Sequence, residues 1–273
     1  MSSTATQTVS PLLELRDLRI SFPSVDAPPV LAVEHLNLSV YRKEFLALVG
    51  PSGCGKTTVL NAMVGLIRPD AGEVLFCGKP VHGVNPRVGY ISQADTLLPW
   101  RTVLDNVALG LQLRGSHKQE RRERAQELLH SMGLSGFETN YPHELSGGMK
   151  KRVTIARTLA IEPEILFMDE PFGPLDAFTK EKLQDDILEL WERLGQTIVY
   201  VTHDLGEAVS LSDRVLLLGG RPGCIRAEYP IPLRRPRRVM ELKFDEDFLA
   251  LEKAIWSDLR AELSQEDFNH EEG

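Results

Sequence analysis

Cysteine is scarce in this chain. Three residues, Cys54, Cys77 and Cys224, are scattered over 273 positions, and no two form a Cys-x-x-Cys pair. An odd, dispersed set argues against a disulfide framework and a structural zinc site, and fits a reducing cytoplasm. Long apolar runs are absent too, and nothing approaches the ~20 residues that cross a bilayer as a helix. The opening MSSTATQTVS has neither a basic residue nor an apolar core, so it does not read as a signal peptide. Positive charge is in deficit, with 31 Lys and Arg against 39 Asp and Glu and a formal net charge of −8. That balance disfavours non-specific binding to nucleic acid and leaves docking on a membrane protein open. No internal repeat is visible, which argues against a tandem two-copy chain. Hydrophobic content of 42% and charged content of 26% are ordinary for a globular protein. The length allows one large α/β domain or two small ones.

What the chain does have is the stretch FLALVGPSGCGKTTVLNA, from Phe45 to Ala62. The apolar run Phe45–Val49 reads as a buried strand, and the residues after the glycines favour a helix. The turn between them matches the phosphate-loop pattern: Gly50, Pro51, Ser52, Gly53, Cys54, then Gly55, Lys56, Thr57 and Thr58. Glycines there let successive amides point at one anion, and the helix offers its positive end to the same place. Lys56 can reach phosphate oxygens, and the Thr57 hydroxyl can ligate Mg²⁺. Cys54, close to oriented amides and to Lys56, is expected to be a reactive thiol, with a buried inert thiol as the alternative.

Around this stretch the pattern alternates strands with helices, which implies a mostly parallel sheet. Met1–Pro11 reads as a disordered lead, Leu12–Phe22 as an edge strand, Pro23–Pro29 as a loop and Leu36–Tyr41 as a second strand. Short strands are expected at Glu73–Cys77 and Arg87–Ser92. Helical spacing then covers Val103–Arg114 and Lys118–Met132, with Gly133 as a cap, and a third helix from Ser146 to Ala160. The sheet resumes at Ile165–Met168, followed by a helix over Lys180–Leu194, a strand over Thr197–Val201, a short helix over Asp204–Ser210 and a strand over Arg214–Leu218. Arg234–Arg238 reads as a solvated turn, Phe248–Leu263 as a last amphipathic helix, and the acidic tail beyond it as loose.

Two further clusters carry chemistry. Asp169 and Glu170 follow a buried strand directly, which places both carboxylates at the sheet edge where phosphate loops lie. Asp169 can hold Mg²⁺, and Glu170 can polarise a water attacking a phosphate. A carboxylate pair after a strand can also be a mere helix start, but its pairing with the phosphate loop favours chemistry. The second cluster is Leu145-Ser146-Gly147-Gly148-Met149, followed by Lys150, Lys151 and Arg152. Ser146 can cap a helix while Gly147 and Gly148 expose amides, which makes a second anion nest in one chain.

Taken in order, these motifs make the chain resemble the ATP-binding-cassette (ABC) ATPases. The Walker A loop is Gly50–Thr57, the glutamine loop centres on Gln93, the signature is Leu145–Met149, and Walker B is Ile165–Asp169 followed by Glu170. The D-loop is similar at Gly173-Pro174-Leu175-Asp176, and His203 stands at the switch position. The resemblance implies an α/β fold: a P-loop NTPase core with a mostly parallel central sheet, an N-terminal antiparallel β subdomain and a helical insertion. It implies an ATPase domain over residues 12–232, a helical subdomain inserted at about 100–160, and a C-terminal helical extension with acidic tail over 233–273. It also implies ATP and Mg²⁺ as ligands, with Gln93 sensing the metal and the attacking water and His203 contacting the γ-phosphate. Phe22 would stack on adenine, although an aromatic ending an edge strand is also ordinary core. The implied assembly is a head-to-tail homodimer, each ATP lying between one Walker A loop and the partner's Ser146 nest, with Asp176 at the same interface. Three positions depart from the family pattern: Met149 for a usual glutamine, Lys43 for a usual glycine, and Pro174 where alanine or serine is commoner. None removes a phosphate or metal ligand.

The stretches Leu97–Leu111 and Met168–Thr179, with the signature form LSGGMKKR, resemble the ATPase subunits of nitrate, sulfonate and taurine importers. That implies separate integral membrane permease subunits docking near Gln93–Arg101, a periplasmic solute-binding protein acting indirectly, and a peripheral location on the cytoplasmic face of the inner membrane. Trp100 is the expected anchor for the permease, with packing into the chain's own core as the competing reading. The competing functions are a soluble cassette ATPase acting on DNA or ribosomes, and an importer ATPase for a different small solute. The helical insertion is too short for the coiled coil of the DNA-repair form.

Overall fold

The computed structural model describes residues 10–25, 28–94, 96–173 and 175–271, with side chains through Leu263. The expected disordered lead lies outside the described residues except for Ser10 and Pro11, and so does Pro174.

The chain runs β1 (Leu13–Phe22), β2 (Val30–Val40), β3 (Phe45–Val49), α1 (Lys56–Val64), β4 (Ala71–Phe76), β5 (Lys79–Pro80) and β6 (Val88–Ile91). Four helices follow: α2 (Val103–Val107), α3 (Leu109–Leu113), α4 (Lys118–Ser131) and α5 (Gly147–Leu159). Then come β7 (Ile165–Asp169), α6 (Ala177–Leu194), β8 (Thr197–Val201), α7 (Leu205–Leu211), β9 (Arg214–Gly219), β10 (Cys224–Pro230), α8 (Val239–Leu242) and α9 (Glu246–Glu271).

The central sheet has the order β10-β9-β3-β8-β7-β6, and every pairing in it is parallel except β9 with β10. Strands β3, β7 and β8 are buried at all five positions, as their unbroken apolar runs require of strands covered on both faces. Each such aliphatic side chain contributes about 1.5–3 kcal/mol relative to exposure. A second, antiparallel sheet, β2-β1-β4-β5, faces α1, and one hydrophobic cluster fills the space between them with Leu13, Leu15, Val59, Leu60, Met63, Leu46 and Val199. On the other side of the central sheet, Phe45, Met168 and Tyr200 meet residues of α2, α4, α5 and α6.

Several sequence expectations are corrected. β1 is interior to its sheet, because β4 pairs along the side left free by β2. β2 starts at Val30, six residues before the expected Leu36, in register with Phe22. The helix expected over Val103–Arg114 is two short helices meeting at Ala108. α6 starts at Ala177, capped by the Asp176 carboxylate. β10 and α8 were not foreseen. The basic stretch is no solvated turn: the Arg237 guanidinium is buried and donates to the carbonyls of Ser210, Ser212, Ile231 and Leu233. Burial holds its pKa down to about 10. Arg235 lies 4.0 Å over the Trp191 ring and pairs with Asp213. The acidic tail, expected to be loose, continues the backbone of α9 as helix to Glu271.

Candidate functional site

Four parallel strands deliver the expected residues to one edge of the sheet. β3 ends at the phosphate loop, β8 at His203, β7 at Asp169 and Glu170, and β6 at Gln93. The carboxyl edge of a parallel sheet is where ligands bind in folds of this class.

The phosphate loop is braced from beneath. At Gly50 (φ 156°) a Cβ would lie 2.2 Å from the Leu218 carbonyl oxygen, so only glycine fits where β9 passes. The Arg221 guanidinium donates to the Ser52 carbonyl at 3.3 Å, and the Gly223 amide donates to the Ala32 carbonyl of β2 at 2.9 Å. The 218–223 segment therefore wraps the loop, a role its Gly-Gly-Arg-Pro-Gly composition signals only as a turn. The buried Lys56 ammonium donates to the carbonyls of Gly50 (2.8 Å) and Pro51 (2.7 Å). Ser52, Gly53 and Thr57 are exposed, and Gly55 and Thr58 half-buried. Cys54 overturns its expectation: the side chain is fully buried in the cluster beneath α1, so it packs as a small apolar group.

The Thr57 hydroxyl donates to the Asp169 carboxylate at 3.3 Å. A hydroxyl beside a carboxylate is a hard oxygen donor set of the kind Mg²⁺ takes when phosphates and waters complete its shell, so these residues fit that ion. Among the described residues no group of three or more His, Cys, Asp or Glu forms a dedicated cage. Burial first, and then the nearby Glu170 charge, raise the Asp169 pKa, against the hydrogen bonds from Thr57 and Tyr90. Tyr90, on β6, is pushed up to about 12 by burial and by Asp169. Its contact with Asp169 was not read from the sequence, where it stands simply as an apolar-strand residue.

Glu170 takes φ 42°, a left-handed conformation costing about 1–3 kcal/mol in a residue with a side chain, and such strain clusters at functional sites. Its amide donates to the Val201 carbonyl at 2.9 Å, and its carboxylate meets His203 Nδ1 at 3.2 Å. The His203 side chain is 65% exposed. Gln93 is exposed, with its amide nitrogen 3.6 Å from where a Gly173 Cβ would lie, beside the turn that follows Glu170. Two cations of α5 hold this loop: Lys151 Nζ is 3.4 Å from the carbonyls of Ser92 and Gln93, and Arg157 donates to the Thr96 carbonyl at 2.8 Å. Phe22 is 40% exposed at the end of β1, opposite Val30, which excludes the ordinary-core reading for its ring.

The signature residues stand apart from this edge, at the N-terminus of α5. Ser146 caps the helix by accepting from the Met149 amide at 3.3 Å. Ser146 and Gly147 are exposed, while Gly148 is buried against the D-loop helix, where a Cβ would lie 2.5 Å from Thr179 Cγ2. Asp176, exposed, caps that helix by accepting from the Thr179 amide at 3.0 Å. Lys43, the departure from glycine, holds φ 64°. Trp100 is 71% exposed, which rules out the core reading, although Leu97 beside it is buried. Asn106 fixes this loop, accepting from the Leu98 amide at 2.8 Å and donating to the carbonyls of Leu98 and Arg101 at 3.1 Å. Among the described residues, no helix is long and apolar enough to cross a membrane.

Comparison with known proteins agrees with this geometry. The chain is 49% identical over 234 residues to an uncharacterised ABC transporter ATP-binding protein of Methanocaldococcus jannaschii, with 86% of each chain covered. It is 41% identical over 246 residues to the taurine import ATP-binding protein of Escherichia coli, covering 88% of this chain and 96% of that one. Among solved structures, a dimeric ATP-binding cassette in a post-hydrolysis state with ADP and Pi superposes with a TM-score of 0.71 at 33% identity, covering 81% of this chain and all of that one. A Clostridium perfringens cassette protein, part of an ABC transporter complex, superposes with a TM-score of 0.72 at 25% identity over 87% of this chain and 92% of that one. Residues 33–173 match the ABC transporter family model, and the chain belongs to that family as an ATP-binding ATPase.

Proposed function

We propose that this ABC ATPase powers the uptake of a small solute through separate membrane subunits, working as a head-to-tail dimer over residues 12–232. The observation that carries the reading is the convergence of Lys56, Thr57, Asp169, Glu170 and His203 on one sheet edge, with the Ser146 nest exposed elsewhere on the same chain. The amides of the phosphate loop and of α1 receive the phosphates. Lys56 exchanges its two loop carbonyls for phosphate oxygens and stays paired throughout. Thr57, Asp169 and Gln93 would hold Mg²⁺, which supplies the neutralising charge that phosphoryl transfer needs. Glu170 orients and polarises the attacking water, and His203, 3.2 Å away, reaches the γ-phosphate from the neighbouring strand end. Phe22 stacks on adenine at the rim. Ser146, Gly147, Gly148 and Asp176 close the site of the partner copy.

The solute is of the nitrate, sulfonate or taurine kind, a choice supported by the importer-like stretches and by likeness to a taurine import ATP-binding protein. The permease docks at the loop bearing Trp100, preorganised by Asn106, and the ATPase sits peripherally on the membrane through that contact. Replacing Glu170 by Gln tests the assignment: ATP binding persists, turnover falls about a hundredfold or more, and dimers accumulate with ATP and Mg²⁺. Near-wild-type turnover in that variant would remove Glu170 from the role.

A further inference from the structure

The residue after β8 that faces Glu170, His203, is held by a polar knot that no motif announces. Its ring is 65% exposed, so packing contributes little to its aim and the backbone on either side fixes it. Both flanking residues are tied to Glu207, Thr202 through its carboxylate and Asp204 through its backbone amide. Thr202 Oγ1 donates to Glu207 at 2.6 Å and accepts from the Asp204 amide at 3.0 Å. Asp204 Oδ1 in turn accepts from the Glu207 amide at 3.1 Å. Glu207, only 6% exposed, also accepts from the Tyr200 hydroxyl and from Gln184 Nε2 at 3.2 Å. A buried carboxylate with this many donors holds each of them in place, since any that leaves exposes an uncompensated charge.

Lys180 completes the knot from another element. Its ammonium lies 2.6 Å from Glu207 Oε1 and 2.8 Å from Asp204 Oδ2. Burial pushes the Asp204 carboxyl up, but the Lys180 hydrogen bond and the backbone amides outweigh it and hold it below its ordinary value. Lys180 stands on the first turns of α6, directly after Asp176, whose carboxylate caps that helix. The ammonium thus joins the helix that starts at Asp176 to the carboxylate of Asp204, the residue after His203.

We propose that Lys180 and Glu207 are positioning residues for ATP hydrolysis, which fix the backbone of residues 202–204 so that His203 keeps its alignment with Glu170 and the γ-phosphate. The inference rests on the proposed role of His203 and deepens it. Neither residue touches the nucleotide, and both act through His203.

The test is a double-mutant cycle between Lys180→Met and His203→Ala in the full chain, reading ATP affinity, steady-state turnover and melting temperature. Lys180→Met should bind ATP within about twofold of wild type and lose about tenfold in kcat, with Lys180→Arg restoring most of the loss. In the His203→Ala background the same change should cost no further turnover. Thr202→Val, an isosteric change that removes the oxygen tying the loop to Glu207, should reproduce the loss and the same non-additivity, and serves if Lys180→Met folds poorly. Multiplicative losses in the cycle, or full turnover in a folded Lys180→Met or Thr202→Val protein, would overturn the positioning role. Wild-type turnover of His203→Ala alone would instead overturn the reading of His203 on which it stands.

Discussion

The chain contains two glycine-rich turns that open into helices, and their surroundings differ. The first, Gly50–Thr57, lies over a buried strand, with Pro51, Cys54 and Lys56 buried and the 218–223 segment wrapped beneath it. Its own Thr57 hydroxyl meets Asp169, and the Glu170 carboxylate and the His203 imidazole stand on the same sheet edge. The second, Leu145–Met149, offers the capped end of α5 with Ser146 and Gly147 open to solvent, and it packs on the helix that follows the D-loop. Both can bind an anion through amides and a helix dipole, but among the described residues it is the first that carries the strand-end pair Asp169 and Glu170. A nest set apart from that strand-end pair fits a site that another copy completes.

The largest expected effect follows from that contrast. Ser146→Arg places a long cation in the exposed nest, and hydrolysis should be abolished while the monomer binds ATP as before. Weakened ATP binding by the isolated monomer would show that both nests serve one nucleotide in cis. Trp100→Ala addresses another exposed feature, the loop that follows Gln93. Because the ring is 71% exposed, the isolated subunit should lose less than about 1 kcal/mol of stability and keep its basal turnover. Complex formation with the membrane subunits should weaken about tenfold or more. A fall in melting temperature with normal assembly would reject the docking role. The smallest effect is at Cys54, which sharpens the view of the first nest as braced and closed. Maleimide should leave ATPase activity intact under native conditions and label Cys54 only on unfolding, since the side chain is fully buried. Rapid inactivation prevented by ATP would show that the loop opens far more readily than its packing implies.

The meeting of the candidate residues on one sheet edge was legible because they are local to recognisable breaks in pattern. A buried apolar run that stops at glycine, as at Gly50, or at two carboxylates, as at Asp169 and Glu170, marks a strand end, and neighbouring parallel strands bring such ends to one edge. What was not legible depends on pairings distant in the chain. Arg221 reaches Ser52 across 169 residues, and Arg237 collects carbonyls from the 210–212 and 231–233 segments. Nothing in a run of arginines says that its members turn inward. β10 went unseen because its exposure alternates and it opens on Cys-Ile-Arg-Ala, a pattern with little apolar signal. Cys54 was misread for a related reason: proximity in sequence to Lys56 suggested an electropositive, open setting, whereas the turn directs its thiol down into the cluster under α1. Lys180 and Glu207 look like surface helix charges until α6 and α7 are placed side by side.

The measurement that bears most directly on the account mixes two inactive proteins, Ser146→Arg and Lys56→Ala, under conditions in which mixed dimers form. One mixed dimer joins an intact phosphate loop to an intact signature nest, so the account predicts that ATP hydrolysis reappears in the mixture though neither variant has it alone. Mixed dimers that form and show no hydrolysis in any proportion would contradict it.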